Sequence, residues 1–386
     1  MTMTKTLPTL LLLWLCSLSA LAQAASEKVV GFLLHAPGLP DTAQVYITGN
    51  APALGNWSPG KVQMERTGPD TWQKEIVLLE PMLLEYKYTL GSWEQEAADS
   101  TGSPLRNFTV KVESSLQVKN KVTNWRSGDS KEPVKGGVTG ELVYHEKVGK
   151  SALIPPRDLV VWLPPNYEQD KKKHYPVLYL HDGQNLFDPN TSSFGVDWRV
   201  DETADSLIRN KTIEPIIIVG INNTPDRMQE YTPGEKGAAY MDYVVNTVKP
   251  FIDSTYRTRP GAKYTATGGS SAGGTIAFML AWEHPEIFSK AICMSPAFKI
   301  QDIDYVDDVQ AYKGKKKPVY FYIDNGGVEL EEQLQPGIDE MLQTLKQKGY
   351  REGKDYTWVK DDKAKHFESA WGKRMPQALQ LLFPAK

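Results

Sequence analysis

The chain has 386 residues, 40% hydrophobic and 24% charged, with a formal net charge of −3. That is enough length for two domains, with the composition of a soluble globular protein. The charge balance excludes a basic nucleic-acid binder, because the lysine runs Lys171-Lys172-Lys173 and Lys315-Lys316-Lys317 stand alone in loops without flanking aromatic residues.

Residues 1–24 carry Lys5, an apolar run at 10–15 and the small-residue ending Ala22-Gln23-Ala24, the pattern of a secretory signal peptide cut near Ala24. The mature chain is therefore expected to be periplasmic or secreted. Cys16 follows Leu15 rather than a small residue, so lipid attachment is disfavoured and the cysteine leaves with the peptide. Cys293 is then the single thiol, expected to be a buried strand residue, and the fold relies on its core rather than on a disulfide. No later segment is apolar enough over sufficient length to span a bilayer.

Residues 25–126 show short alternating runs at 29–35, 44–48, 72–78, 83–89 and 107–112, separated by turns such as Pro37-Gly38 and Gly68-Pro69-Asp70. This spacing predicts an all-β sandwich. Residues 127–140, rich in Gly, Ser, Lys and Glu, read as a linker. From 141 to 386 the pattern alternates strands (158–163, 177–181, 216–221, 264–268, 290–294, 319–323, 356–360) with helices (201–209, 241–256, 275–284, 336–348, 368–382). Such alternation predicts a mostly parallel sheet flanked by helices, with its chemistry at the carboxyl ends of the strands.

Gly268-Gly269-Ser270-Ser271-Ala272-Gly273-Gly274 joins one of these strands to an apolar helix. A strand that passes into a helix through Gly-x-Ser-x-Gly has the form of a nucleophile elbow, in which glycines relieve crowding around a strained serine. Only Ser271 has glycine on both sides at that spacing, Gly269 and Gly273, so Ser271 is the expected nucleophile. A phosphate-binding loop would end in Lys-Ser/Thr, which is absent here.

A serine hydroxyl needs a base, and histidine suits that task near neutral pH. Of the six histidines, His35, His145, His174 and His284 read as structural or surface residues, and His181 precedes the serine. His366, between the last strand and the last helix, fits the chain order serine, acid, histidine. The acid then falls just beyond 319–323, where Asp324 and Glu329 are both candidates; it would hold the imidazole tautomer. The backbone N–H of Ala272 is one expected oxyanion donor, and that of Gly183 or Gln184 the other. This chemistry calls for no metal and no cofactor. The acidic run 302–308 lacks calcium-loop spacing and reads as a solvated connection.

Residues 141–386 resemble the esterase D and enterochelin-esterase branch of the α/β-hydrolases. The resemblance is carried by Val160-Val-Trp-Leu-Pro-Pro-Asn-Tyr167, Tyr175-Pro-Val-Leu-Tyr-Leu-His-Asp-Gly-Gln-Asn-Leu-Phe187, Val196-Asp-Trp-Arg-Val-Asp-Glu202, Val219-Gly-Ile-Asn222, Arg227 with Glu230-Tyr-Thr-Pro233, the elbow, and 366–371. It implies an α/β-hydrolase fold and esterase activity, and favours Glu329 as the acid, because Gly326-Gly-Val-Glu329 fits the branch's Gly-x-x-Asp/Glu pattern. It also marks Trp198, Arg227 and Trp371 as substrate-pocket residues.

Residues 28–125 resemble the family-20 starch-binding modules, through Val45-Tyr-Ile-Thr-Gly-Asn50, Ala53-Leu-Gly-Asn-Trp57, Leu84-Glu-Tyr-Lys87, Trp93 and Phe108-Thr-Val110. The resemblance implies that Trp57 and Trp93 stack on glucose rings and that Lys87 bonds a hydroxyl, whereas Trp72 belongs to the core. The region 104–106 departs from the pattern, because the module's ligand-binding asparagine is not evident there. Together these readings predict an exported serine esterase acting through an acyl-enzyme on carbohydrate-linked esters, with an α-glucan or other polysaccharide as a second partner. An acyltransferase, a periplasmic siderophore esterase and a non-catalytic starch-binding protein are the alternatives.

Overall fold

The computed structural model describes residues 27–99, 105, 107–126, 137–149, 151, 153–193 and 195–385. The expected signal peptide, Cys16, most of the linker, and Pro104 and Arg106 lie outside the described residues. The chain divides into two compact units, one of residues up to 90 with 106–123, the other of 91–105 with everything from 124 onward. The excursion 91–105 stays with the second unit because β6 (Ala97–Ala98) pairs with β9 (Asn124–Trp125), and Arg126 N–H donates to the Glu96 carbonyl.

The first unit is built of strands, as its alternation predicts. β1 (Lys28–His35), β3 (Glu65–Gly68), β4 (Thr71–Leu78) and β8 (Leu116–Lys121) form one sheet in the order β3-β4-β1-β8. A second sheet has the order β2-β5-β7, from β2 (Tyr46–Gly49), β5 (Met82–Thr89) and β7 (Phe108–Val112). Every second residue of β1 points inward, and Val30, Phe32 and Leu34 are fully buried. Trp72 is buried at 1% exposure, the core role expected of it.

The second unit carries an eight-stranded sheet in the order β10-β11-β13-β12-β14-β15-β18-β19. Its strands are β10 (Glu141–Val148), β11 (Arg157–Leu163), β12 (Val177–His181), β13 (Ile217–Ile221), β14 (Thr265–Ser270), β15 (Lys290–Met294), β18 (Tyr320–Val328) and β19 (Tyr356–Lys365). β10 and β11 run antiparallel at one edge and the remaining strands are parallel. Both faces are buried: Val177 and Tyr179 of β12 join one core cluster, Leu178 and Leu180 the other. Such strands read as continuous apolar runs because helices cover both sides.

Those helices are α1 (Val200–Arg209), α2 (Arg227–Glu230), α3 (Glu235–Tyr243), α4 (Lys249–Thr255), α5 (Ala272–Glu283), α6 (Val306–Ala311), α7 (Leu330–Gln347) and α8 (Glu368–Leu382). A small hairpin of β16 (Lys299–Ile300) and β17 (Ile303–Asp304) precedes α6, whose first N–H groups are capped by Asp304. The expected helix 241–256 is α3 and α4 joined by a widened turn, Val244–Val248. The helix expected from Pro336 begins earlier, at Leu330, with Pro336 inside it. Cys293 is fully buried in β15, and burial pushes its thiol well above the ordinary range, so it is no nucleophile. No described helix is long and apolar enough to cross a membrane.

Candidate active site

Four neighbouring strands, β12, β14, β15 and β18, each end in a non-glycine residue at positive φ: Asp182 (59°), Ser271 (57°), Ser295 (43°) and Glu329 (65°). Such backbone is sparsely populated for residues with a Cβ and tends to cluster at functional sites. Ser271 has ψ −128°, caps α5, and its N–H donates to the Met294 carbonyl at 2.9 Å. A Cβ on Gly269 would come within 2.5 Å of the Gly273 carbonyl oxygen, so the glycine there is a steric requirement. Ser270 is 2% exposed, whereas Ser271 is half-buried at the head of the helix.

His366 follows β19 and precedes α8. Its Nδ1 lies 3.4 Å from Glu331 Oε2, and its ring meets Trp371 edge-on with centroids 4.9 Å apart. The carboxylate facing the histidine is therefore Glu331, and neither expected acid occupies that place. Glu329 turns the chain into α7 with φ 65° and ψ −122°, and its Oε1 pairs with Lys365 Nζ at 3.1 Å on a side chain 38% exposed. Asp324 is fully buried against Arg374, Oδ2 to Nε 2.9 Å, and burial pushes its carboxyl up while Arg374 pulls it down.

Glu331 stands on the apolar face of α7, three residues before Leu334 and seven before Ile338, all buried. That periodicity was the available signal. It stays hidden if the helix is started at Pro336. Gly326 makes room for the arrangement, since a Cβ there would sit 2.7 Å from Glu331 Cγ and 2.4 Å from the Ala364 carbonyl oxygen.

On the opposite side of the elbow, Asp182 precedes a 3-10 turn, Gly183–Asn185. A Cβ at Gly183 would meet backbone of Gly220 at 2.6 Å, so the loop can only approach β13 as glycine. Ala272 is the first residue of α5 and Gln184 lies in the first turn after β12, and the first N–H groups of a helix have no carbonyl within it to donate to. Arg227 is committed to this loop: Nε and Nη2 donate to Asp182 Oδ1 and Oδ2 at 2.6 and 2.8 Å, and Nη2 reaches the Ser270 carbonyl at 3.4 Å. A bidentate guanidinium thus ties the loop after β12 to the elbow. Asn223 adds a third bond to Asp182, at 2.6 Å. Near this pair, burial pushes the Glu368 carboxyl up to about 8, and the Asp182 charge pushes it the same way.

The remaining expected residues fall into place as structure. His181 is fully buried between the Tyr240 hydroxyl (2.8 Å) and Thr267 Oγ1 (3.2 Å), and burial lowers it to about 3, so it stays neutral. His145 bonds Tyr256, His174 the Lys172 carbonyl, and His284 lies near Glu286. Trp198 is 1% exposed in the core and Trp371 only 6%, the two rings 5.6 Å apart. Of the three residues expected to line a pocket, Trp198 and Trp371 are thus buried, Trp371 against the His366 ring, and Arg227 is bonded to Asp182.

In the first unit, Gly55, Asn56 and Trp57 adopt three consecutive positive φ values (77°, 50°, 62°), which leaves the indole half-buried at a sharp bend. Lys87 is half-buried on β5. Trp93 belongs to the second unit, where its carbonyl accepts from Arg126 at 3.3 Å, so the three expected sugar residues do not share one unit.

A parallel sheet sandwiched by helices, with a serine elbow after one strand and a histidine after the last, defines an α/β-hydrolase. Residues 151–382 match the family described as "Putative esterase", and the chain belongs to that family. Residues 34–122 match the starch binding domain. Protein YjcH of Bacillus subtilis is 29% identical over 157 residues, which cover 40% of this chain and 61% of that relative, so the chain spans less than two thirds of it. A ferulic acid esterase structure superposes with TM-score 0.52 at 22% identity, over 64% of this chain and 98% of the other. The Shigella flexneri enterobactin esterase superposes with TM-score 0.53 at 15% identity, over 91% and 92% of the two chains.

Proposed function

We propose that this esterase works through a Ser271 nucleophile, with His366 as general base and Glu331 as the acid that orients it. The observation carrying this reading is the pairing of His366 Nδ1 with a fully buried Glu331 carboxylate, at the same carboxyl end of the sheet as the strained Ser271. Ser271 Oγ would attack the ester carbonyl while His366 takes its proton; the tetrahedral oxyanion would form against the N–H groups of Ala272 and Gln184 or Gly183. His366 would then protonate the leaving alcohol, and water would release the acid from the acyl-enzyme by the same route. Hydrolysis of p-nitrophenyl acetate should vanish in Ser271→Ala and persist in Ser270→Ala; the reverse pattern would reject the assignment.

Carbohydrate-linked esters are the proposed substrates, and an α-glucan the second ligand. The starch binding domain match and the likeness to a ferulic acid esterase support this. Trp57 offers a flat apolar face to a sugar ring and Lys87 a donor. A catecholate-siderophore ester, suggested by the enterobactin esterase likeness, would call for a free cationic residue, and Arg227 is spent on Asp182. Action in the periplasm or outside the cell is proposed from residues 1–24.

A further inference from the structure

Ser295 leaves β15 at φ 43° and is fully buried. Its hydroxyl is the meeting point of three side chains: Glu331 Oε1 at 2.7 Å, Trp371 Nε1 at 3.1 Å and Arg374 Nη2 at 3.0 Å. Indole and guanidinium nitrogens can only donate, so both Ser295 lone pairs are taken and its single proton goes to Glu331 Oε1. That bond occupies Oε1 and turns Oε2, 3.4 Å from His366 Nδ1, toward the histidine.

We propose that Ser295 is a positioning residue for hydrolysis: it fixes the rotation of the Glu331 carboxylate and thereby the Nδ1–H tautomer of His366. The inference rests on the Ser271–His366–Glu331 reading. Ser295 is itself anchored from behind, because its N–H donates to the Asp324 carbonyl at 3.0 Å and to Asp324 Oδ1 at 3.1 Å. Arg374 Nη2 closes the network on Asp324 Oδ1 at 3.0 Å. Asp324 therefore stands three contacts behind the histidine, through Ser295 and Glu331, and is itself paired with Arg374.

A double-mutant cycle tests this. Ser295→Ala should lower kcat on p-nitrophenyl acetate about 10- to 100-fold with KM within about two-fold, the cost expected of a misplaced catalytic group. The acid limb of kcat/KM should move to lower pH, since a poorly oriented carboxylate stabilises the imidazolium less. In a Glu331→Gln background, Ser295→Ala should cost nothing further. Thermal melts accompany each variant; if Ser295→Ala does not fold, Ser295→Cys, similar in shape with a weaker donor, carries the cycle. Additive losses, or an unmoved acid limb with full kcat, would overturn the role of Ser295. Full kcat in Glu331→Gln alone would instead overturn the triad on which it rests.

Discussion

In the esterase unit the candidate residues are gripped from several sides, with Glu331 and Ser295 fully buried and Arg227 bound twice to Asp182. In the β-rich unit Trp57 and Lys87 stand half-exposed on a bend and a strand. The contrast is what the two proposed tasks would require. Acyl transfer gains from groups aimed at charge that develops only in the transition state, which demands a rigid second layer. Sugar stacking needs an accessible aromatic face and tolerates a looser setting. The two units should therefore fail independently, and substitutions can be ranked by how deeply each side chain is embedded.

Ser271→Ala should have the largest effect, with kcat reduced by about 10⁴-fold or more while retention on an amylose gel is untouched. Glu331→Gln should follow, at about 10³- to 10⁴-fold in kcat, against less than about three-fold for Glu329→Gln, whose partner is the surface residue Lys365. A larger loss at Glu329 than at Glu331 in kcat measurements would reverse the assignment of the acid. Arg227→Met should cost about 10- to 100-fold in kcat by freeing the Asp182 loop from the elbow, with melting temperature recorded to separate unfolding. Trp57→Ala should abolish amylose retention and leave p-nitrophenyl acetate turnover intact; native protein that is not retarded would remove the glucan from the account.

The smallest effect concerns pH. Glu368 binds its proton more tightly in the fold, at about 8, than an ordinary carboxyl does. Between those values the folded state carries a proton that the unfolded state has lost, so stability falls as pH rises through that window. Glu368→Gln should flatten the slope of melting temperature between pH 5 and pH 8, by no more than a few kcal/mol in stability terms. An unchanged slope would show that Glu368 is ionised throughout.

Most strands of the eight-stranded sheet could be read from sequence because they are apolar runs bounded by turns, and Val177–His181 and Lys290–Met294 match the expected ranges residue for residue, whereas the edge strand Glu141–Val148, buried only at Val148, could not. Ser271 and His366 were singled out for a different reason, since glycine spacing and chain order are local signals. The acid was not. Its identity depends on the phase of α7, and a proline read as a helix start placed Glu331 in a loop. Edge strands such as Leu116–Lys121, half-buried and half-charged, give too weak an alternation to stand out. Trp72 was legible as a core residue, whereas the burial of Trp198 and Trp371 was not, because only packing distinguishes a wall from a floor.

The most direct measurement is covalent labelling of the active protein with a fluorophosphonate, followed by peptide mass spectrometry. Modification at Ser271, suppressed in His366→Ala and slowed in Glu331→Gln, is the predicted result. Labelling at another serine, or labelling of Ser271 at an undiminished rate without His366, would contradict the account.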